Sequence, residues 1–213
     1  MFPAFYAILD ADQASGAHAS LARVLAGAGV ELIQIRDKKA STRKLLDASK
    51  RLIEALGTAG VRVIVNDRPD IAAMVGAAGV HVGQEDLPVE AARRICGSGP
   101  WVGVSTHNFE QLREANLTSA DYIAVGPIFP TATKENPDPV VELELLRAAR
   151  QLTKKPLVAI GGITIESAEA VYRAGADSVA VVQDLIYAGD PAQRVREYLS
   201  VAELVVSHRA GTA

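Results

Sequence analysis

Cysteine is almost missing from this chain. Cys96 is its single thiol among 213 residues, which excludes an internal disulfide and a cysteine-built zinc cluster. It lies in the apolar stretch 91–96 and reads as a small helix residue, not as a reactive nucleophile. A basic block is missing too: 22 Lys and Arg are spread among 25 Asp and Glu, for a net charge of -3. That balance disfavours a nucleic-acid-binding surface and leaves room for a local anion pocket. No apolar run reaches the ~18 residues of a membrane span, and residues 1–10 carry neither the basic run nor the small-residue cleavage pattern of a secretory signal. The expectation is a soluble, cytoplasmic protein with no nucleic-acid and no membrane partner; a homo-oligomer is left open. Linkers and low-complexity stretches are lacking as well, so the expected organisation is one domain over 1–206 and a small, polar, fraying tail over 207–213.

What is present is a regular alternation. Runs rich in β-branched residues occur at 5–9, 31–35, 61–65, 79–82, 101–104, 122–125, 157–160 and 178–182. Longer Ala/Leu/Arg/Glu segments with helical spacing separate them at 19–28, 42–56, 70–77, 89–96, 109–114, 142–152, 166–173 and 192–204. Near-continuous apolar strands between amphipathic helices imply a parallel sheet covered on its outer face. Ala-Gly recurs just before a strand at Ala28-Gly29, Ala59-Gly60, Ala78-Gly79 and Ala174-Gly175, the punctuation of a helix ending in a left-handed glycine. Eight such units fit a closed (β/α)8 TIM barrel or an open doubly wound sheet. Periodicity does not separate the two; the length favours the barrel.

In either fold, residues just past the C-terminal strand ends converge on one face, where ligands bind. After the second strand, alternation puts Gln34, Arg36 and Lys38 on one side. A planar guanidinium fork and an ammonium point charge together suit a phosphate-bearing ligand; the alternative is a solvated strand end with Arg36 paired to Asp37. The third strand runs into Asn66-Asp67 and the fourth into a loop holding Asp86. Asp70 and Asp86 have a plainer reading as helix-start residues beside Pro69 and Pro88, whereas Asp67 directly follows an apolar run and would face the mouth. Two carboxylates on neighbouring loops, with oxygen donors only, fit Mg²⁺ bridging to a diphosphate. There is no cysteine or histidine cluster for a softer metal.

The fifth strand ends in Ser105-Thr106-His107-Asn108, where a hydroxyl either caps the next helix or meets a ligand. His107 is a ligand contact or a proton carrier. His81, inside a strand, reads as a satisfied structural residue; His18 and His208 belong to no constellation, and no Ser-His-Asp arrangement emerges. The sixth strand leads through Gly126-Pro127 to Thr131, Thr133 and Lys134, a rigid start to an anion-contacting loop. Gly161-Gly162 after the seventh strand and Val182-Gln183 after the eighth offer backbone N–H groups in the two loops that most often hold phosphate in this barrel.

Taken in order, Gln34-x-Arg36-x-Lys38, Asn66-Asp67, His81-Val82-Gly83-Gln84-Glu85-Asp86, Gly103-Val104-Ser105-x-His107, Gly126-Pro127-Ile128-Phe129-Pro130-Thr131-x-Thr133-Lys134 and Ala159-Ile160-Gly161-Gly162-Ile163 resemble the thiamine phosphate synthase family. The resemblance spans nearly the whole chain. It implies a closed barrel, Mg²⁺ dependence, and two small-molecule substrates, a hydroxymethylpyrimidine diphosphate and a hydroxyethylthiazole phosphate, joined with release of diphosphate. It also implies that Gln34, Arg36, Lys38, Asn66, Ser105 and Lys134 hold the pyrimidine diphosphate, Arg36, Lys38, Ser105 and Lys134 acting in catalysis, with His107 a further contact. Asp67 and Asp86 would bind Mg²⁺, and Thr131, Thr133, Gly162 and the backbone at Val182-Gln183 would hold the thiazole phosphate. One departure is plain: Gln183 stands where the family usually has serine, and Asp184 follows in place of a small residue. Two rival readings are a thiazole tautomerase of similar fold and a non-catalytic phosphate-ligand sensor. Neither has a use for Lys38, Asp67, Asp86 and Lys134 together.

Overall fold

Eight parallel strands pair in chain order and the first closes on the last, so the sheet is a barrel. The strands are β1 (Phe5–Asp10), β2 (Leu32–Arg36), β3 (Arg62–Asn66), β4 (Gly79–Val82), β5 (Trp101–Thr106), β6 (Tyr122–Val125), β7 (Leu157–Ile160) and β8 (Ser178–Val181). Around them lie α1 (His18–Gly27), α2 (Thr42–Leu56), α3 (Pro69–Val75), α4 (Val89–Cys96), α5 (Phe109–Leu117), α6 (Glu142–Leu152), α7 (Ile165–Arg173), a short α8 (Gln183–Ile186) and α9 (Pro191–Ala210). This computed structural model describes residues 2–10, 18–131 and 138–210. The open doubly wound alternative is excluded by the pairing of β1 with β8, in which Tyr6 lies opposite Ala180. Among the described residues no helix is long and apolar enough to cross a membrane.

The period of two along each strand divides the apolar residues between two cores. Phe5, Ala7 and Leu9 of β1 and Ile33 and Ile35 of β2 point outward into a layer shared with Leu25, Leu52, Ile71, Leu112, Leu146 and Val171 of the helices. Tyr6, Ile8, Leu32, Ile64, Tyr122, Ala124, Val158 and Ala180 point inward and fill the barrel. Truncating a buried leucine in the outer layer to alanine costs about 2–5 kcal/mol.

The N-terminal end of the barrel is shut by aromatic packing. Phe2 stacks on Trp101 with ring centroids 5.2 Å apart, and the Arg62 guanidinium lies 4.7 Å over the Trp101 ring. Two equivalent clamps brace the same end. Arg93 pairs with Asp121, whose Oδ2 also accepts the Val102 N–H at 2.7 Å; Arg150 pairs with Asp177 at 2.8 Å, whose Oδ2 accepts the Leu157 N–H at 2.8 Å. Each clamp ties a helix to the strand after it and to the start of the next strand but one. With that end closed among the described residues, the mouth is at the C-terminal strand ends.

Candidate active site

Arg36, at the end of β2, is held by Asp10 at the end of β1. Asp10 is only 2% exposed, so the guanidinium is its natural partner in a poorly hydrated place. This corrects the alternative in which Arg36 pairs with Asp37. Asp37 instead folds its own loop, accepting the N–H groups of Lys39 and Ala40 at 3.1 and 2.8 Å. Lys38 continues outward, largely exposed, and its Nζ lies 3.3 Å from Asp67 Oδ2 on the next loop. Gln34 lies deeper, buried inside the barrel.

Asp67 takes a left-handed backbone with φ of 62°, a conformation that Asp and Asn tolerate better than other side-chain-bearing residues. Its N–H is fixed by the His81 carbonyl at 2.7 Å. Burial first, and then the neighbouring Asp86 carboxyl, push the Asp67 pKa up to about 6 against the opposing pull of Lys38. Two acidic groups thus face one another beside a lysine. Asp86 does not cap α4, whose N-cap is Pro88; it accepts the Gly83 N–H at 2.8 Å and closes its own turn. Asp70, by contrast, is a surface partner of Arg68 at 2.6 Å and takes no part in the mouth.

The helix cap after β5 is Asn108, which accepts the Gln111 N–H at 2.9 Å. Thr106 is buried and donates to the Ala124 carbonyl at 2.9 Å. Ser105 is therefore free of capping duty and meets His81 Nε2 at 2.9 Å, while Gln84 Nε2 ties the fourth loop to the Ser105 carbonyl at 2.5 Å. His107 donates from Nδ1 to the Gly126 carbonyl at 2.6 Å, leaving Nε2 3.5 Å from Asp138 Oδ2. His81, read from sequence as structural, is satisfied at both ring nitrogens, yet one of its partners is the candidate site residue Ser105.

Loops six and seven are bound together by backbone. Ile128 and Phe129 donate to the Ile160 and Gly161 carbonyls at 2.9 and 3.0 Å. Gly162 has φ of 61°, and a Cβ there would overlap Phe129 and the Pro130 carbonyl. Glycine is thus required for the fit of these loops, apart from any access it gives a phosphate. Thr131 is described; Thr133 and Lys134 lie outside the described residues. The unusual Asp184 has a clear task. It accepts the Ile165 N–H at 3.2 Å, the Tyr198 hydroxyl at 2.7 Å and the Arg194 guanidinium at 3.2 Å, fastening α8 to the start of α7 and to α9.

Sequence reasoning missed Asp10 and the function of Asp184. The signal that singled out Asp67, a carboxylate closing an apolar strand, applies equally to Asp10. Among the described residues no three His, Cys, Asp or Glu gather as a metal cluster. The donor set offered is instead two carboxylates, which fits a hard cation that completes its shell with water and phosphate oxygens.

A closed parallel barrel whose C-terminal mouth gathers Arg36, Lys38, paired carboxylates and glycine-built loops defines a phosphate-handling enzyme of the TIM-barrel class. Comparison with known proteins makes the class particular. The family model described as thiamine monophosphate synthase matches residues 5–185, and the chain belongs to that family. It is 50% identical over 205 residues to the thiamine-phosphate synthase of Koribacter versatilis, covering 93% of this chain and 95% of that protein. It is 42% identical to the enzyme of the same name from Chloroflexus aurantiacus, covering 93% of each. The solved structure of thiamine phosphate pyrophosphorylase from Pyrococcus furiosus superposes with a TM-score of 0.87 at 32% identity, over 95% of this chain and 96% of that one. The expected family and barrel are both borne out, and with them a transferase of thiamine synthesis.

Proposed function

We propose that the chain joins the pyrimidine diphosphate to the thiazole phosphate by a dissociative substitution at the pyrimidine methylene. The observation that carries this reading is the meeting of Arg36, Lys38 and the Asp67–Asp86 pair at three adjacent strand ends, opposite loops suited to a second phosphate.

Gln34, Asn66 and Ser105 would hold and orient the pyrimidine diphosphate. The C–O bond to the methylene breaks with its electron pair leaving on diphosphate, and Arg36, Lys38 and Lys134 meet the growing negative charge, where preorganised cations act most strongly. Asp67 and Asp86 would hold Mg²⁺, which when bound supplies further charge neutralisation to a diphosphate. The aminopyrimidine spreads the positive charge left behind. The thiazole nitrogen attacks with a lone pair and loses no proton, so the site needs no strong general base, and none is evident in the roles of Ser105 or His107. Thr131, Thr133, Gly162 and the backbone at Val182-Gln183 would hold the thiazole phosphate, with His107 a further contact. The setting is taken to be cytoplasmic. Neither the tautomerase nor the sensor reading gains support from a carboxylate pair beside Lys38. Incubating the protein with both substrates and Mg²⁺ should yield thiamine phosphate and diphosphate in equal amounts; no product at any Mg²⁺ concentration would overturn the proposal.

A further inference from the structure

A continuous file of polar groups crosses the interior of the barrel beneath the mouth. Gln34 Nε2 donates to the Tyr6 hydroxyl at 2.8 Å. Tyr6 and Tyr122 hydroxyls meet at 3.1 Å, Tyr122 meets His81 Nδ1 at 3.0 Å, and His81 Nε2 meets Ser105 Oγ at 2.9 Å. Both ends of the file are residues read above as pyrimidine-diphosphate contacts; its middle is in the apolar barrel core.

Each hydroxyl in such a file has one proton to give, so one end sets the sense of every bond. The Gln34 amide donates to Tyr6, and the fully buried Tyr6 proton must then go to Tyr122, because a buried donor without an acceptor costs about 1–3 kcal/mol. Tyr122 in turn donates to His81 Nδ1. His81 is thereby the tautomer carrying its proton on Nε2, and that proton is given to Ser105 Oγ. Burial pushes both phenols well above their ordinary pKa, so neither gives up its proton.

We propose that the file Gln34–Tyr6–Tyr122–His81–Ser105 sets the hydrogen-bonding sense of the site, with Tyr6 and Tyr122 as positioning residues: Ser105 reaches the mouth already accepting from His81, so its own proton is given to an anionic oxygen of the leaving diphosphate. At the other end, one Nε2 proton of Gln34 goes to Tyr6, which orients the amide so that its carbonyl oxygen can accept from a donor on the substrate. The proposal rests on the reading of Gln34 and Ser105 as substrate contacts. A second observation supports the importance of the file: a Cβ on Gly103 would overlap the Tyr122 ring and hydroxyl. The glycine two residues before Ser105 is the seat that admits Tyr122.

The test is Tyr122→Phe, which keeps the ring and removes the hydroxyl. In the parent protein, ¹⁵N NMR should show His81 protonated at Nε2 with Nδ1 accepting; in the variant the Nδ1 resonance should lose its hydrogen-bond shift. Turnover should fall about tenfold, the scale of one good hydrogen bond, with KM for the thiazole phosphate unchanged. In a Ser105→Ala background, Tyr122→Phe should cost little more, because both act through one contact. Tyr6→Phe should act in the same direction, and it supplies the test should Tyr122→Phe fold poorly. A parent His81 protonated at Nδ1, additive losses, or unaltered turnover in both phenylalanine variants overturns the proposal. A parent protein that makes no thiamine phosphate would overturn the functional reading instead, and the NMR result would still decide the sense of the file.

Discussion

Asp10 and Arg36, 26 residues apart in the chain, end neighbouring strands and meet side chain to side chain at the rim of the barrel. The register brings them there: Asp10 lies directly opposite Arg36 in the β1–β2 ladder. The aspartate fixes the guanidinium before any substrate arrives, which lowers the ordering cost of binding an anion. It also draws on the cation's charge, so the pair trades attraction for position.

Asp10→Asn should expose that trade. Hydrogen bonds to charged groups contribute about 1.5–3 kcal/mol, so the melting temperature should drop and KM for the pyrimidine diphosphate should rise by roughly tenfold as Arg36 loses its anchor. Calorimetry and steady-state kinetics check it. A variant unchanged in both would reduce Asp10 to a packing residue.

The raised pKa of Asp67 makes a pH prediction. Its carboxyl has an ordinary value of 3.8 in the unfolded chain and about 6 in the folded protein, so the folded state binds the proton more tightly. The stability this confers on the cation-free protein is complete below about 3.8 and is lost as the pH rises through about 6. Asp67→Asn, which keeps a residue tolerant of the left-handed backbone, should lack that component, so the difference between the parent and variant melting profiles should isolate it. Protons should also compete with Mg²⁺, so the Mg²⁺ needed for half-maximal activity should rise as the pH falls through about 6. Asp86→Asn should stay folded and lose most turnover, with partial recovery in excess Mg²⁺. A Mg²⁺ requirement flat from pH 5 to pH 8 would count against the paired carboxylates as the cation site.

Asp184 and Gln183 should separate cleanly. Asp184→Ala cuts three hydrogen bonds, one that joins the eighth loop to the start of α7 and two that join it to α9; KM for the thiazole phosphate should increase several-fold while that for the pyrimidine diphosphate holds. Gln183→Ser should change thiazole phosphate affinity by less than about tenfold, or roughly 1.4 kcal/mol, if backbone N–H groups carry the phosphate. A much larger gain would show that the family's usual serine hydroxyl is needed.

Lys134→Ala, in a stretch whose sequence has no apolar face to bury, should melt within about 0.5 kcal/mol of the parent and still bind the pyrimidine diphosphate. Product formation should fall by roughly a hundredfold, because a cation that meets developing charge acts more in the transition state than in the ground state. Full activity in this variant would remove Lys134 from the mechanism.

The sequence by itself determined the eight βα units and put forward candidate residues at their strand ends. The starts and ends of the strands follow from β-branched runs bounded by glycine, proline and helix-capping residues, all of which act over a few residues. That is why β4, β6, β7, α2, α4 and α6 fall where the pattern sets them, and why Gln34, Arg36, Lys38, Asn66, Asp67, Asp86 and Ser105 could be put forward as candidates from their places at or just past strand ends. Closure and partnership were decided only in three dimensions. Nothing local to Arg36 distinguishes Asp37 beside it from Asp10 across the ladder. Nothing local to His81 connects it through Tyr122 to Tyr6, 116 residues from Tyr122 in sequence. Those choices depend on the stagger with which the strands close, which places residues of β1, β2, β4, β5 and β6 at one level of a single interior. Gly103, Gly162 and Asp184 show the same limit. Each looks like a loop or strand choice when read along the chain, and each is explained by a group brought against it by folding: the Tyr122 ring, the Pro130 carbonyl and the Ile165 N–H at the start of α7.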